Sequence, residues 1–395
     1  MQVAIMGTPG GVEDASRYSL HELIQIAGQN TGNFLFQYAV SLLVAGDLRF
    51  IGRSGMQYSD PNLHAGLEGM IFPAANHLRR GADWSSLAGF LKTVKAPLGV
   101  MGIGAQAADS RPSEAEVVAL SSEPEIQALA EAIAAKASLV TVRGAFSAEV
   151  ARACGIADPL ILGCPSLLIN PKRDLGQRLA KRIDELKRRD PAQRIKLGLA
   201  AAAPFEIRET PKADIERKLF KWLVANDGLY IQQSGGPDAI AFALRDTRHA
   251  SLGAVRSIWQ VLAPDMAFED FIDYSMRRNR LFWNVEPWFA QMRALDLVAG
   301  TRFHGNMFAI AEGVPGVFVA HDSRTQELVE TMQTPWVDFT DVEGAESLQD
   351  LLQAVRFDPA AFDANRRRIA RETTAALRGA GFEPSEHLQS LGADS

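Results

Sequence analysis

Residues 295–321 are organised in blocks of apolar and polar positions. An apolar run, Leu295 to Ala299, precedes a polar segment, Gly300 to Asn306. A helical stretch follows from Met307 to Glu312, closed by glycine and proline, and a second apolar run covers Val317 to Ala320. Short continuous apolar runs are typical of buried strands. The pattern predicts a strand–helix–strand unit whose polar segment lies at the carboxyl end of the first strand.

The polar segment concentrates groups that bind anions and move protons. Arg302, His304 and Asn306 fall at the predicted start of the helix, and Gly305 would let a ligand approach the backbone closely. Free N–H groups at a helix start attract anions, and a guanidinium pairs with carboxylate or phosphate through two parallel bonds. Histidine transfers protons near neutral pH. The segment therefore predicts a functional site, against the alternative of an ordinary turn with a solvated arginine.

The arrangement of strand, polar loop and helix start recurs near the N-terminus. Residues 22–27 are predicted as a strand and Phe34 to Ala45 as a helix, with a polar loop between them. Asn30, Gly32 and Asn33 in that loop are candidates for ligand binding. A plain loop in which an asparagine caps the helix is an equal alternative.

Other predicted strands also end in candidate ligand contacts. Asn76 follows the strand Gly69 to Pro73, and Gly104 closes the apolar run that begins at Pro97. Arg143 ends the strand that begins at Ser138. Strand tips of an open α/β sheet line its binding crevice, so this arginine is predicted to hold an anion.

Cysteine usage argues against disulfide or thiolate chemistry. Cys154 and Cys164 are the only cysteines, which is too few for a disulfide framework or a thiolate metal cluster. Cys164 has no histidine or second cysteine close to it in the sequence. It is predicted to be a small packed residue and not a nucleophile.

Charge and hydropathy limit the classes of partner. A net charge of -6 argues against nucleic acid as the main partner. The acidic residues and histidines show no metal-ligand spacing, so we expect no metal cofactor. The N-terminus lacks the features of a signal peptide, and the apolar stretch Phe34 to Ala45 is too short to span a bilayer. We expect a soluble, cytoplasmic protein, for which peripheral membrane association stays open.

The length suits two α/β domains with separate cores. The boundaries are predicted as an N-terminal α/β domain over residues 1–172, a charged helical linker over 173–194, a C-terminal α/β domain over 195–340, and a helical tail over 341–395 that packs back. The elements predict two doubly wound, Rossmann-like domains that face each other across a cleft.

Three motifs resemble the polysaccharide pyruvyl transferase family. Thr301-Arg302-Phe303-His304-Gly305, followed by Ala-Glu-Gly-Val-Pro, is similar to its C-terminal signature, and Arg143 ends a segment that resembles its Val-x-Val-Arg motif. Residues 30–33 resemble its Asn-x-Gly-Asp loop, with Asn33 in place of the acid. An amide cannot accept a proton as a carboxylate does, so an acid–base role for this loop is not expected.

The resemblance implies both a fold and an activity. The fold would be the two-domain arrangement of GT-B glycosyltransferases. The activity would move the pyruvyl group of phosphoenolpyruvate onto sugar hydroxyls of a glycan, which could be lipid-linked, without a further cofactor. Arg302 and His304 would be catalytic. Substrate-binding residues would be Arg143, Gly305, Asn306, Asn30, Gly32, Asn33, Gly104 and Asn76.

Two other functions are compatible with the same residues. A GT-B glycosyltransferase could use Arg302 and His304 to hold the diphosphate of a nucleotide sugar. A catalytically silent relative could bind an anion or a glycan without turnover.

Overall fold

A computed structural model describes residues 1–51, 66–107, 111–210, 212–246 and 248–393. Within these residues the strands form two six-stranded sheets, and every recorded strand pairing is parallel. The predicted α/β class with two Rossmann-like sheets is therefore confirmed.

The first sheet belongs to the N-terminal half and has the order β2-β1-β3-β4-β5-β6. Its strands are β1 Gln2–Met6, β2 Asp47–Ile51, β3 Gly69–Pro73, β4 Leu98–Ile103, β5 Ala137–Val142 and β6 Leu160–Ile161. All residues of β3 and β4 are buried, as expected for parallel strands covered on both faces.

The second sheet has the order β12-β11-β10-β7-β8-β9. Its strands are β7 Leu197–Ala200, β8 Leu229–Ile231, β9 Asn279–Arg280, β10 Leu297–Gly300, β11 Gly316–Ala320 and β12 Trp336–Asp338. Strand order reverses between β1 and β3 in the first sheet and between β7 and β10 in the second. Ligands of open α/β sheets bind at the carboxyl ends of strands beside such a reversal.

Helices cover the faces of both sheets. Those of the N-terminal half are α1 Leu20–Ile26, α2 Asn33–Leu43, α3 Ser85–Thr93, α4 Glu114–Ser121, α5 Pro124–Lys136, α6 Ala145–Ala153 and α7 Leu175–Lys187. Those that follow are α8 Pro204–Ile207, α9 Lys212–Ala225, α10 Pro237–Ala243, α11 Leu252–Leu262, α12 Phe268–Arg278, α13 Val285–Arg293, α14 Phe303–Ala311 and α15 Ser323–Met332. The last are α16 Phe339–Gly344, α17 Leu348–Ala354, α18 Pro359–Gly379 and α19 Glu386–Gly392.

The strand predicted at residues 22–27 is wrong, because this segment lies in α1. Ser19 accepts a hydrogen bond from the backbone N–H of Glu22, and the Glu22 carboxylate accepts one from the backbone of Ser19. This capping box satisfies two free donors of the first turn. The buried apolar residues of the segment form one face of a short helix, which a short apolar run does not distinguish from a strand.

The strand–helix–strand unit at residues 295–321 is confirmed, with one change of boundary. Helix α14 begins at Phe303, earlier than the predicted Met307. Arg302 is therefore its N-cap residue, and His304 lies in its first turn. Trp288 of α13 is fully buried and stacks on Phe308 with ring centroids 3.8 Å apart, which places it in the core.

The C-terminal helices pack back on the N-terminal half. Arg366 of α18 is fully buried and donates to the backbone carbonyls of Leu167, Lys172 and Asn170. None of the described helices is both long and apolar enough to cross a membrane.

Candidate active site

A cavity of about 950 Å³ lies at the carboxyl ends of the strands of both sheets. Its wall includes residues that follow β1 and β3 in the first half and β10 and β11 in the second. The cavity therefore lies beside the order reversals of both sheets, where the fold predicts a ligand. Six of the predicted site residues line it: Asn30, Asn33, Asn76, Arg143, Arg302 and His304.

Three predicted glycines lie behind this wall and do not line the cavity. A Cβ on Gly305 would approach Gln233 Nε2 to 2.5 Å, and one on Gly32 would approach Gln233 Oε1 to 2.6 Å. A Cβ on Gly104 would lie 2.6 Å from Cδ of Arg143. These glycines allow wall residues to pack closely, and their contact with a ligand stays a prediction.

Asn306 is also fully buried and does not line the cavity. Its side-chain amide donates to the carbonyls of Gly300 and Arg302, at 3.0 Å each. The backbone N–H of Arg302 donates to the carbonyl of Ala200 in β7 at 3.2 Å. Asn306 thus holds the turn that carries Arg302, and its predicted role in binding substrate stays untested.

Asparagines of the N-terminal loop are held by backbone contacts and still line the cavity. The side-chain oxygen of Asn30 accepts from the backbone N–H of Gly32 at 2.8 Å. The Asn33 amide donates to the carbonyl of Ala27 at 3.0 Å, so its oxygen is left for other partners. The loop docks on the second half through Thr31, whose N–H donates to the Gln233 carbonyl at 2.9 Å.

Asn76 connects the two halves. Its amide donates to Gln106, whose own amide lies 3.4 Å from the carboxylate of Asp322. The side-chain oxygen of Asn76 is buried and has no hydrogen-bond partner among the residues that the structure describes.

Arg143 is the most deeply buried cation of the site, with 3% of its surface exposed. Its Nε donates to the carbonyl of Gly102 at 2.9 Å, whereas its Nη2 has no partner in the described part of the chain. Leaving a buried charged donor unpaired is costly, and an anion in the cavity could supply the missing partner, so the predicted anion-binding role of Arg143 stays a prediction.

Arg302 already has a carboxylate partner. Its Nη2 lies 2.5 Å from Oε2 of Glu206, which belongs to α8 and is largely exposed. Its Nε is buried and has no hydrogen-bond partner within the described ranges. A ligand anion at Arg302 therefore competes with Glu206.

Two further half-buried cations of the wall were not predicted. Arg324 lines the cavity, and its Nη2 lies 3.7 Å from Asp322 Oδ2. Its Nε is buried and has no hydrogen-bond partner in the part of the chain that the structure describes. Lys212, at the start of α9, also lines it, and burial lowers the pKa of its ammonium. Arg324 closely follows β11, so the rule that identified Arg143 would have found it. Lys212 follows no strand and gave no such signal.

His304 is buried, with 8% of its surface exposed. Burial, and then the positive charges of Arg143 and Arg324, hold the pKa of its imidazole well below the usual 6.5. The expectation that His304 titrates near neutral pH is therefore wrong for the ligand-free protein, in which the ring is neutral. The ring lies 5.2 Å from the Phe36 ring, and its Nε2 lies 3.7 Å from Sγ of Cys164. The contact with Cys164 was missed because 140 residues separate the two.

Asp322 caps α15 by accepting from the backbone N–H of Thr325 at 2.8 Å. It also lines the cavity, next to His321, whose Nε2 lies 3.6 Å from its carboxylate. Burial lowers the pKa of His321 to about 4.

A buried carboxylate supports the turn before Arg302. Glu216 of α9 is fully buried and accepts hydrogen bonds from the Thr301 hydroxyl and from the backbone N–H of Ala202. Burial raises its pKa to about 6. Glu216 thus links the loop after β7 to the loop after β10 by hydrogen bonds. The sequence did not indicate this linking role, because a glutamate within a helix is usually exposed.

Comparison with known proteins identifies one family. A family model described as polysaccharide pyruvyl transferase matches residues 54–323, which is more than half of the chain. The matched range includes Arg143, Arg302 and His304. A search of curated proteins found no match.

Proposed function

The chain belongs to the polysaccharide pyruvyl transferase family, and from this premise we propose that it moves the pyruvyl group of phosphoenolpyruvate onto two hydroxyls of a glycan sugar. The product would be a cyclic pyruvate ketal, with inorganic phosphate released. The observation that carries the proposal is that four buried or half-buried cations line one cavity together with His304, and that two of them, Arg143 and Arg324, act on its ring. The four cations are Arg143, Lys212, Arg302 and Arg324.

The charges of the cavity suit the donor. Phosphoenolpyruvate carries a carboxylate and a phosphate, and guanidinium groups bind both through paired hydrogen bonds. Five basic side chains line the cavity against three acidic ones, an excess of two positive charges. The basic residues are Arg79, Arg143, Lys212, Arg302 and Arg324, and the acidic ones are Asp83, Glu206 and Asp322.

The chemistry needs one proton delivered and two removed. A proton adds to the methylene carbon of the donor, which makes its neighbouring carbon electrophilic. One sugar hydroxyl adds to that carbon and loses its proton, which balances the proton delivered. The second hydroxyl displaces the phosphate, and its proton leaves with the phosphate as hydrogen phosphate. His304 is the proton carrier in this scheme. The bound phosphate offsets Arg143 and Arg324, so it raises the pKa of the ring and lets the ring hold a proton.

The acceptor sugar is proposed to lie against the N-terminal half. That wall carries the amides of Asn30, Asn33 and Asn76, which can donate to and accept from hydroxyls. It also carries the half-buried ring of Trp84, whose indole N–H is buried without a partner in the described residues. An aromatic face with a polar edge suits a sugar ring. A GT-B-like arrangement, with one half for each substrate, and a lipid-linked acceptor belong to the same proposal.

Phosphate release tests the function directly. The protein is incubated with phosphoenolpyruvate and a panel of glycans, and the product is examined for a gain of one pyruvyl ketal by mass spectrometry. Thermal unfolding with each ligand separates the donor classes, because a bound ligand raises the melting temperature. Phosphoenolpyruvate should stabilise the protein and nucleotide sugars should not.

Two arginine variants sharpen the test. Arg143→Ala should lose stabilisation by phosphoenolpyruvate, whereas Arg178→Ala, on an exposed i,i+4 ion pair of α7, should keep it. Stabilisation by a nucleotide sugar alone, with sugar transfer, would overturn the proposal in favour of a glycosyltransferase.

A further inference from the structure

A buried thiol lies directly behind the imidazole of His304. Cys164 is 1% exposed and follows β6, at the start of the 3-10 helix Pro165–Leu168. Its Sγ is 3.7 Å from Nε2 of His304. His304 lines the cavity and Cys164 does not. A ligand in the cavity therefore contacts the ring and not the thiol. Cys164 acts on the cavity through a neighbouring side chain, and His304 is the wall residue that it contacts through a hydrogen bond.

The hydrogen bonds around the sulfur indicate the direction of this contact. The hydroxyl of Ser166 donates to Sγ at 3.1 Å, and Ser166 is itself 1% exposed. Because the sulfur accepts from Ser166, its own S–H is left to point at the imidazole. Among the described residues, Cys164 is the only recorded hydrogen-bond partner of Nε2. A thiol is a weak donor, but a neutral ring nitrogen without a proton is a suitable acceptor.

We propose that Cys164 is a positioning residue that sets the tautomer of His304. The thiol donates to Nε2, so the neutral ring carries its proton on Nδ1, the nitrogen that the thiol does not hold. In His-dependent sites the partner of one ring nitrogen decides which nitrogen is protonated. When the ring takes up a second proton, that proton enters at Nε2, and the thiol changes from donor to acceptor. The proposed tautomer of His304 does not depend on which reaction the protein catalyses, whereas its effect on turnover rests on the proposed function.

Nuclear magnetic resonance of the full chain, labelled with 15N-histidine, tests the tautomer. The chain has seven histidines, and the signals of His304 are those missing from His304→Gln. At neutral pH, wild-type His304 should show a protonated Nδ1 and an unprotonated Nε2. Cys164→Ala should shift the ring toward a protonated Nε2. Ser166→Ala should shift it in the same direction and less, because the sulfur then loses the donor that orients it.

The second cysteine provides a matched control. Cys154 is also buried, at the end of α6, and burial raises its pKa to about 11. Cys154→Ala should leave the His304 signals unchanged.

If Cys164→Ala fails to fold, Cys164→Ser replaces it, since the shorter C–O bond moves the hydroxyl away from Nε2. The proposal is overturned if Nε2 is protonated in the wild type. This would be seen either for a neutral ring with its proton on Nε2 or for an imidazolium paired with a Cys164 thiolate. Unchanged His304 signals in the Cys164 variant also overturn it.

Turnover separates this proposal from the proposed function. With phosphoenolpyruvate and an accepted glycan, kcat of Cys164→Ala should fall about tenfold or more while the donor KM stays within about twofold. Absence of activity in the wild type would count against the proposed transferase function. The tautomer of His304 would then be decided by the nuclear magnetic resonance experiment alone. An active wild type with equal kcat in Cys164→Ala would count against the positioning role alone.

Discussion

Arg143 and Arg302 carry the same guanidinium group and differ in what already neutralises it. Arg143 is buried with an unpaired Nη2, whereas Arg302 has the carboxylate of Glu206 at 2.5 Å. An anion could therefore bind Arg143 without displacing a partner, whereas an anion at Arg302 would compete with Glu206. This difference separates the two residues in their expected effect on donor affinity.

Removing the carboxylate of Glu206 should strengthen donor binding. Glu206→Gln frees Arg302 from its ion pair with a largely exposed carboxylate. Ion pairs with an exposed partner are weak, so the gain in affinity for phosphoenolpyruvate should be modest, about two- to fivefold. Titration calorimetry measures this change. Glu209→Gln, exposed on the same segment and outside the cavity wall, is the matched control and should have no effect. Weaker binding by Glu206→Gln would show that Glu206 contributes to the donor site.

Donor binding should draw a proton onto His304. The ring is neutral in the free protein because burial, Arg143 and Arg324 lower its pKa. A bound phosphate favours the charged ring, so the pKa rises on binding, and affinity falls as the pH rises between the free and bound values. Calorimetry near neutral pH, in buffers of different ionisation enthalpy, measures the uptake. The wild type should take up about one proton more than His304→Gln. Equal uptake by both proteins would assign the proton elsewhere.

At the scale of elements, helix α15 ties the two halves together beside the site. Glu327 accepts from the backbone N–H of Ser147 at 3.0 Å and from its hydroxyl at 2.5 Å, and so caps the start of α6. Ser323 exchanges hydrogen bonds with the backbone of Ala107. Helix α6 directly follows Arg143, so these contacts hold the strand tip that carries the unpaired guanidinium.

Glu327 should make stability depend on pH. Burial outweighs the Ser147 hydrogen bonds and raises its pKa from 4.5 to about 7. Between pH 4.5 and about 7 the folded state therefore binds more protons than the unfolded state. The protonated Glu327 contributes to the free energy of unfolding at low pH, and this contribution is lost as the pH rises through about 7. Glu327→Gln cannot ionise. From about pH 5 to about pH 8, its unfolding free energy should improve relative to the wild type by about 1–3 kcal/mol.

Urea unfolding across this range measures the difference. Glu330→Gln, exposed on the same helix, should track the wild type at every pH. A constant difference between wild type and Glu327→Gln would show that Glu327 keeps its ordinary pKa in the folded protein.

At the scale of the whole molecule, one apolar core joins residues of both halves. It includes Val3 and Ile71 of the first sheet with Val298 and Phe318 of the second. The C-terminal segment completes it, since Phe382 packs against Gly69 and Gly99 of β3 and β4. The relative position of the halves, and with it the shape of the cavity, therefore depends on the C-terminal helices.

Arg366 should be essential to this packing although it lies outside the cavity wall. Arg366→Met keeps much of the side-chain volume and leaves three carbonyls without their donors, so the free energy of unfolding should fall by roughly 2–4 kcal/mol. Urea unfolding measures it. Arg368→Met removes an i,i+4 ion pair from the exposed face of the same helix and should cost about 0.5 kcal/mol or less. Equal losses in both variants would argue against the anchoring role.

Local pattern determined much of the fold and part of the site. Runs of apolar residues ending in polar loops predicted the parallel α/β class and brought Arg143, Arg302 and His304 to strand tips. Carboxyl ends of parallel strands share one edge of a sheet, so a position in sequence becomes a position in the crevice. The strand predicted at residues 22–27 was wrong because a short apolar segment is compatible with a strand or with one face of a helix. The capping box of Ser19 stabilises the helix.

Only the tertiary structure decided what surrounds those residues. The partners of Arg302, His304 and Arg366 lie 96, 140 and 194 or more residues away in the chain, and no local pattern encodes such distances. Burial among these partners sets the charge state of His304, because desolvation and two neighbouring cations act on the ring only after the chain has folded. Local pattern thus predicted six of the residues that line the cavity, and the packing of the two halves added Arg324 and Lys212 and determined the charge and the partners of the site.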